Sequence, residues 1–114
     1  MSDFTIDSLH AALRGLSTRQ RVIANNLANS ETPGYLAGTV SFEDSLRTAM
    51  RRGEPKTAAV SQGTSANPAF VNGNNVELDE ETVALLETGM RYQLLTQAVS
   101  SKYSIIRTAI GRGA

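Results

Sequence analysis

Near the start of the chain, apolar residues recur at Ile6, Leu9, Leu13, Leu16, Ile23 and Leu27, in steps of three and four, with Gln20 filling the single gap. That spacing keeps a narrow stripe on one side of a helix, wide enough to dock on a second helix but too narrow to be buried all round. It predicts a helix over 5–28, about 36 Å long at ~1.5 Å per residue. A second run places Leu78, Leu85, Tyr92, Val99 and Ile106 one heptad apart, interleaved with Thr82, Gly89, Thr96, Tyr103 and Ile110. It predicts a helix over 79–110, about 48 Å long. Leu86, Met90, Leu94 and Leu95 widen its stripe, so this helix is expected to touch more than one neighbour. The two seams predict a mainly α fold whose N- and C-terminal helices pair as an antiparallel or coiled-coil-like hairpin.

The charges agree with both helices. Asp3 and Asp7 precede Arg14, Arg19 and Arg21, and the acids Glu77, Asp79, Glu80, Glu81 and Glu87 precede Arg91, Lys102, Arg107 and Arg112. Acids early and cations late complement the helix dipole. The region between, 29–78, reads differently. "SFEDSLRTAMRRGEP" predicts a short helix with Ser41 and Asp44 as a capping pair, Phe42, Leu46 and Met50 on one face, and Gly53 and Pro55 as its stop. Residues 51–69 hold one large apolar side chain, Val60. They can bury little against an ordering cost of ~1–2 kcal/mol per residue, which predicts a mobile, partly disordered central loop. Asn72-Gly73 suits a tight turn and predicts a short β-hairpin around it.

Composition then limits what these elements can do. Leu, Ile, Val and Phe supply 26 of 114 residues, so the core is thin. A self-contained helical bundle is the default for two such stripes. The arithmetic of so few stripe residues instead predicts a marginal isolated chain, stable once other subunits cover the seams. The expected assembly seam is therefore Ile6, Leu9, Leu13, Leu16, Gln20, Ile23 and Leu27 on the first helix, and Leu85, Gly89, Tyr92, Val99, Tyr103, Ile106 and Ile110 on the second. Gly89 inside that seam predicts a notch for close helix approach or a bend.

Eleven basic and eleven acidic side chains cancel, which argues against nucleic acid or an anionic membrane as main partner. Zero cysteine removes disulfides, thiolate metal sites and cysteine nucleophiles. The only histidine, His10, lies one residue past Leu9 with nothing to position a nucleophile beside it, and no small-molecule substrate or cofactor is expected. The acids at 77–81 lack the alternating oxygen ligands and central glycine of a calcium loop and read as first-turn acids, with Asp79 as a cap. The start of the chain has no apolar run of signal-peptide length, so no cleaved signal is expected.

The stretch "IANNLANSETPGY" is the most unusual in the chain. Asparagine suits a helix end, because it tolerates left-handed backbone angles and its amide bonds nearby peptide groups. Yet Asn25, Asn26 and Asn29 are more than termination requires, and they are expected to reach the backbone of a neighbouring chain. Thr32-Pro33-Gly34-Tyr35 then imposes a turn with an aromatic beyond it. "RQRVIANNLANSETPGY" at the end of a heptad helix resembles the signature of flagellar axial proteins of the rod and hook. "VSFEDSLRTA" and the C-terminal "NGNNVELDEETVALLETGMRYQLLTQAVSSKYSIIRTAIGRG" narrow the resemblance to the flagellar basal-body rod proteins of the proximal rod.

By that resemblance Asn25, Asn26, Leu27, Asn29, Thr32, Pro33, Gly34 and Tyr35 carry the signature. Asn74, Asn75, Val76, Tyr92, Gln93 and Thr96 carry the C-terminal match. Ser30, Glu31 and Leu36 depart from the usual pattern. The resemblance implies a structural subunit of the bacterial flagellar basal body, exported by the flagellar type III apparatus and polymerising through its terminal helices with the central region outside. The partners it implies are further copies of the chain, other rod subunits such as FlgC, the adaptor FliE, the MS ring and the export gate. The alternative is a small helical adaptor of another secretion assembly.

Overall fold

The computed structural model describes residues 3–113. Helix α1 spans Phe4–Ala28, strand β1 Gly38–Ser41, helix α2 Glu43–Arg51, a single 3-10 turn Pro55–Thr57, strand β2 Ser61–Thr64 and helix α3 Leu78–Gly113. The Arg112 side chain, last of the basic residues, lies outside the described ones.

α1 begins where its sequence provides a cap. The Asp3 carboxylate accepts from the amides of Thr5 (2.8 Å) and Ile6 (3.2 Å), supplying partners that helix ends otherwise lack. Those amides, Ile6 first, and the nearby Lys102 ammonium hold the Asp3 carboxyl below its ordinary value. α1 and α3 run antiparallel. Asn26 donates to Glu81 at one end of the pair (3.1 Å), and Lys102 lies 3.5 Å from Asp3 at the other. α3 therefore continues past the level of Asp3, and its residues 103–113 overhang by about 16 Å at ~1.5 Å per residue.

The second face of α1 is made of small residues. Ser8, Ala11, Gly15, Thr18 and Asn26 are all buried, at helical spacing, on the side that carries β1, α2 and the 3-10 turn. The hydroxyls of Ser8 and Thr18 satisfy themselves on the carbonyls of Phe4 and Arg14. Gly15 leaves the space in which the Phe42 ring sits, and a Cβ there would clash with three of its ring carbons. Arg19 closes the same corner. Its guanidinium lies 4.8 Å from the Phe42 ring centroid, takes the Glu43 carboxylate with both nitrogens (2.6 and 2.8 Å) and donates to the Val40 carbonyl (2.9 Å).

The middle of the chain departs from expectation in three ways. Ser41 does not cap α2: it ends β1, Phe42 precedes the helix, and no side chain caps it. The stop is as expected, with Gly53 at φ 72° and the Glu54 amide returning to the Ala49 carbonyl (2.9 Å). The 51–69 stretch is not structureless. Its Pro55–Thr57 turn is tied to α1 by Arg14, which donates to the Ala58 carbonyl (3.3 Å), and by Lys56, 4.0 Å from Asp7. Its Ser61–Thr64 strand pairs antiparallel with β1, Gly38 opposite Thr64 and Ser41 opposite Ser61. Backbone pairing does here what side-chain burial cannot. The strand pair thus joins 38–41 to 61–64, while Asn72-Gly73 turns without flanking strands. Gly73, at φ 81°, donates to the Phe70 carbonyl (2.9 Å) there.

The result is thin, 67 × 26 × 14 Å, with a radius of gyration of 18.0 Å where a compact domain of this size is expected near ~13 Å. One layer of helix pair and one layer of loop leave much of α3 without cover.

Three substitutions test this account by urea or thermal unfolding. Gly15→Ala drives a methyl into Phe42 and is expected to cost about 1–3 kcal/mol. Gly89→Ala is expected to stabilise by ~0.5–1 kcal/mol, because a Cβ there meets only the Gln20 side-chain end at 3.7 Å, an ordinary contact. Arg19 holds the Glu43 carboxyl at about 2, below its ordinary 4.5. The folded value is the depressed one, so this contribution is present above pH 4.5 and is lost as pH falls from 4.5 towards 2. Glu43→Gln is expected to remove that part of the acid sensitivity and, since the pair is partly solvated, no more than about 1 kcal/mol at pH 7.

Candidate functional site: an asparagine-stitched reversal and the faces of the helix pair

The signature residues and the C-terminal match meet. Asn26, Asn74 and Asn75 are the largest side chains with less than 2% exposure among the described residues. Burying an amide without partners costs several kcal/mol, so their bonds explain why they are tolerated. Asn26 treats Gly38 as a strand would. Its Nδ2 donates to the Gly38 carbonyl (3.0 Å) and its Oδ1 accepts from the Gly38 amide (2.8 Å), while Oδ1 also takes the Tyr35 hydroxyl (3.3 Å). The second Nδ2 proton goes to Glu81.

Asn74 and Asn75 approach the same reversal from downstream. Asn74 Nδ2 donates to the carbonyls of Asn29 and Thr32 (2.8 Å each), and its Oδ1 accepts from the Val76 amide (2.7 Å). Asn75 Oδ1 accepts from the Ala37 amide (2.7 Å), and its Nδ2 donates to the carbonyls of Ser65 and Asn67 (3.1 Å each). Val76 beside them is buried at 3%. Gly34 and Gly73 close the stitch. Gly34 sits at φ 74°, its amide donates to the Asn72 carbonyl (2.9 Å), and a Cβ on Gly73 would press to 3.2 Å from the Gly34 Cα. A left-handed backbone and a close approach therefore coincide where the chain has two glycines.

The amides of Asn26 and Asn29 bond within this chain, which corrects the expectation of an intermolecular bridge for those two. Asn26 is spent internally, and Asn29 Nδ2 caps the Asn25 carbonyl (2.8 Å) while its Oδ1 takes the Thr32 hydroxyl (3.1 Å). Asn25 is exposed, as are Thr32, Pro33 and Gly34. Leu27 is half-buried.

The heptad positions of α1 behave alike: Ile6, Leu16 and Ile23 are buried, and Leu9, Leu13 and Gln20 half-buried. On α3 one lane of the expected seam is displaced by a residue. Leu85, Val99 and Ile106 are half-buried, and Tyr92 is 36% exposed. The interleaved lane that turns inward is Glu81, Thr88, Leu95 and Lys102. Thr82, Thr96, Tyr103 and Ile110 are exposed instead. Charged and polar residues in the true lane hid it, since Glu81 faces Asn26 and Lys102 faces Asp3. Gly89 is half-buried, and no backbone closes on its notch, only the end of Gln20.

Away from α1, α3 presents a bare apolar lane: Val83, Leu86, Met90 and Leu94 are 61–71% exposed. His10 is exposed, and among the described residues no group of His, Asp or Glu is placed to hold a metal. Asp79 lies inside the first turn of α3, which begins one residue earlier than expected, at Leu78. No described helix is long and apolar enough to cross a membrane.

Asn26→Ala would orphan both backbone groups of Gly38 and one Glu81 oxygen. It is expected to cost about 2–4 kcal/mol in urea unfolding and to speed hydrogen exchange at the Gly38 amide. Asn25→Ala, one residue away and exposed, is expected to stay within ~0.5 kcal/mol of the parent.

Residues 6–35, which run from the first seam residue of α1 through the tyrosine of the reversal, match the family described as "Flagella basal body rod protein". The chain is 32% identical to "Flagellar basal body rod protein FlgB" of Bacillus subtilis, covering 96% of this chain and 95% of that one. It is 30% identical to the protein of that name from Escherichia coli over 85% of this chain and 91% of that one. To its namesake in Borreliella burgdorferi it is 28% identical, over 96% and 99%. The likeness thus takes in the stitched reversal and both long helices, and the chain belongs to the flagellar basal body rod protein family, as a structural and not an enzymatic member.

Proposed function

We propose that this basal-body rod subunit polymerises through its two terminal helices and that residues 1–114 work as one unit. In this reading helices 5–28 and 79–110 do the packing, and 29–78 form the outer loop. The observation that carries it is the bare lane Val83, Leu86, Met90 and Leu94 on the longest helix of a plate 14 Å thick. Apolar surface of that extent gains ~25 cal/mol per Å² only when another subunit covers it. Tyr103 and Ile110, on the overhang beyond the intramolecular pair, form a second exposed apolar patch, on a different side of α3 from that lane. The α1 heptad and Leu85 and Val99 hold the subunit together rather than joining subunits.

The neighbours in this reading are further copies of the chain, FlgC and related rod subunits, FliE, the MS ring and the export gate. The rod crosses the periplasm and links the ring to the distal rod and hook. Delivery is by the flagellar type III apparatus. A subunit that is marginal alone and stabilised by its neighbours makes folding and assembly one event, which keeps it monomeric before a template is met.

Deleting the gene in its source bacterium and imaging the envelope by electron cryotomography is expected to show membrane rings without rod, hook or filament. Complete flagella would overturn the reading. Complementation with Leu86→Glu plus Met90→Glu is expected to leave the purified chain within ~1 kcal/mol of the parent's stability, because both sites are exposed. It is also expected to leave the cells without rods, because assembly would bury two charges. A melting temperature independent of protein concentration and above about 60 °C would count against the marginal monomer.

A further inference from the structure

Asn72-Gly73 is the one Asn-Gly pair in the sequence, and it lies within the stitched reversal. Glycine has no Cβ, so its peptide nitrogen reaches the Cγ of a preceding asparagine side chain unhindered. The structure readies one partner of that reaction and withholds the other. Asn72 is exposed to water, and its Oδ1 accepts from the Asn74 amide (3.1 Å), a donor aimed at the oxygen that takes up negative charge when Cγ is attacked. The Gly73 nitrogen is engaged elsewhere. Its proton goes to the Phe70 carbonyl (2.9 Å), in a turn closed by the Phe70 amide on the Asn74 carbonyl (2.7 Å) and by the Gly34 amide on the Asn72 carbonyl (2.9 Å).

We propose that Asn72 is a deamidation site gated by this reversal: the closed turn protects it, opening releases it, and the modification then prevents reclosure. In the open turn the Gly73 nitrogen gives its proton to hydroxide and bonds to Asn72 Cγ. The Cγ–Nδ2 bond breaks and ammonia leaves. Water then opens the five-membered imide at either of its two carbonyls, so one water enters, one ammonia departs and nothing is oxidised. Opening at Cγ leaves an ordinary linkage with a side-chain carboxylate. Opening at the main-chain carbon routes the chain through Cβ and Cγ, an isoaspartyl linkage, and turns the carbonyl that holds the Gly34 amide into a carboxylate outside the main chain. The turn has no room for the added main-chain carbon, since even a Cβ on Gly73 would press to 3.2 Å from the Gly34 Cα. Gly34 and Gly73 therefore cannot keep their approach while Gly34 keeps its acceptor. The site does not depend on the rod reading.

The test ages the purified full chain at mildly alkaline pH, folded and unfolded in guanidinium chloride, and reads position 72 by peptide mapping with mass spectrometry and by an isoaspartyl-specific methyl-transfer assay. In the unfolded chain position 72 is expected to be the first asparagine converted. In the folded chain its conversion is expected to be at least about tenfold slower, and slower by the same factor as hydrogen exchange at the Gly73 amide, because both begin with loss of that proton from the open turn. Asn74→Ala, which removes the side-chain bonds to the Asn29 and Thr32 carbonyls, is expected to accelerate conversion and exchange together. Should that variant unfold, guanidinium below the parent's unfolding transition supplies the same comparison. Molecules that carry the isoaspartyl linkage are expected to exchange the Gly34 amide faster than unmodified ones. Conversion as fast in the folded chain as in the unfolded one, or slowed by a factor unlike that of exchange, overturns the gate. Earlier conversion at another asparagine overturns the site, and Gly34 exchange unchanged by the modification overturns the block on reclosure.

Discussion

Everything in this molecule depends on one amide. Asn26 is buried at 1% exposure at the end of a 25-residue helix, and it can remain there only because Gly38 presents an amide and a carbonyl to it at 2.8 and 3.0 Å. The interaction fixes the return of the chain after α1 and so sets where β1 lies. β1 then fixes β2 by pairing, and Phe42, just beyond β1, enters the space left by Gly15. The same amide reaches Glu81, so the start of α3 is placed by the residue that ends α1. A hydrophobic contact at this point would hold the surfaces together but would not choose a register. Four directed hydrogen bonds on one side chain do choose, because every alternative leaves a buried polar group unpaired.

The helix pair inherits its alignment from that stitch. Two heptad stripes can slide by a heptad at modest cost, and polar positions within a seam are the device that prevents it. Here Glu81 meets Asn26 near one end and Lys102 meets Asp3 at the other, so both polar contacts agree on one register. The consequence is the overhang. With α1 starting level with Lys102, the last turns of the 36-residue α3 have no described partner, and Tyr103, Ile105 and Ile110 there stay exposed.

Much of this was legible from residue order. The periodicities at Ile6–Leu27 and Leu78–Ile106 specify two long helices, and their positions at either end of the chain specify a pair. What periodicity could not show was which interleaved lane faces inward. An apolarity count favours Tyr103 and Ile110 over Glu81, Thr88 and Lys102, and the structure turns the polar set inward because each end of it has a specific partner. The small-residue face of α1 was invisible for the opposite reason: Ser8, Ala11, Gly15 and Thr18 carry too little apolar area to register, although they admit the whole second layer. The central stretch misleads in the same way. Ser61–Thr64 buries no side chain, and its order comes from backbone pairing that composition does not reveal. The asparagine stretch announced itself as more than a cap, yet its partners lie at Gly38, Asn74 and Glu81, positions that only the folded chain brings together.

Internal use of the asparagines also explains how one short chain can both fold and be a building block. Had the amides been kept for neighbours, an unassembled subunit would carry buried polar groups without partners, and its reversal would stay open until assembly. Spending them internally gives the monomer a defined reversal at little apolar cost, which suits a chain with so few large apolar residues. The apolar residues that remain, from Val83 to Leu94 and again from Tyr103 to Ile110, are then free to serve contacts between subunits. Polar stitching determines the shape, and in the proposed reading the apolar lanes serve association. The two use different residues, so the outer lane of α3 takes no part in the hydrogen bonds that fix the fold.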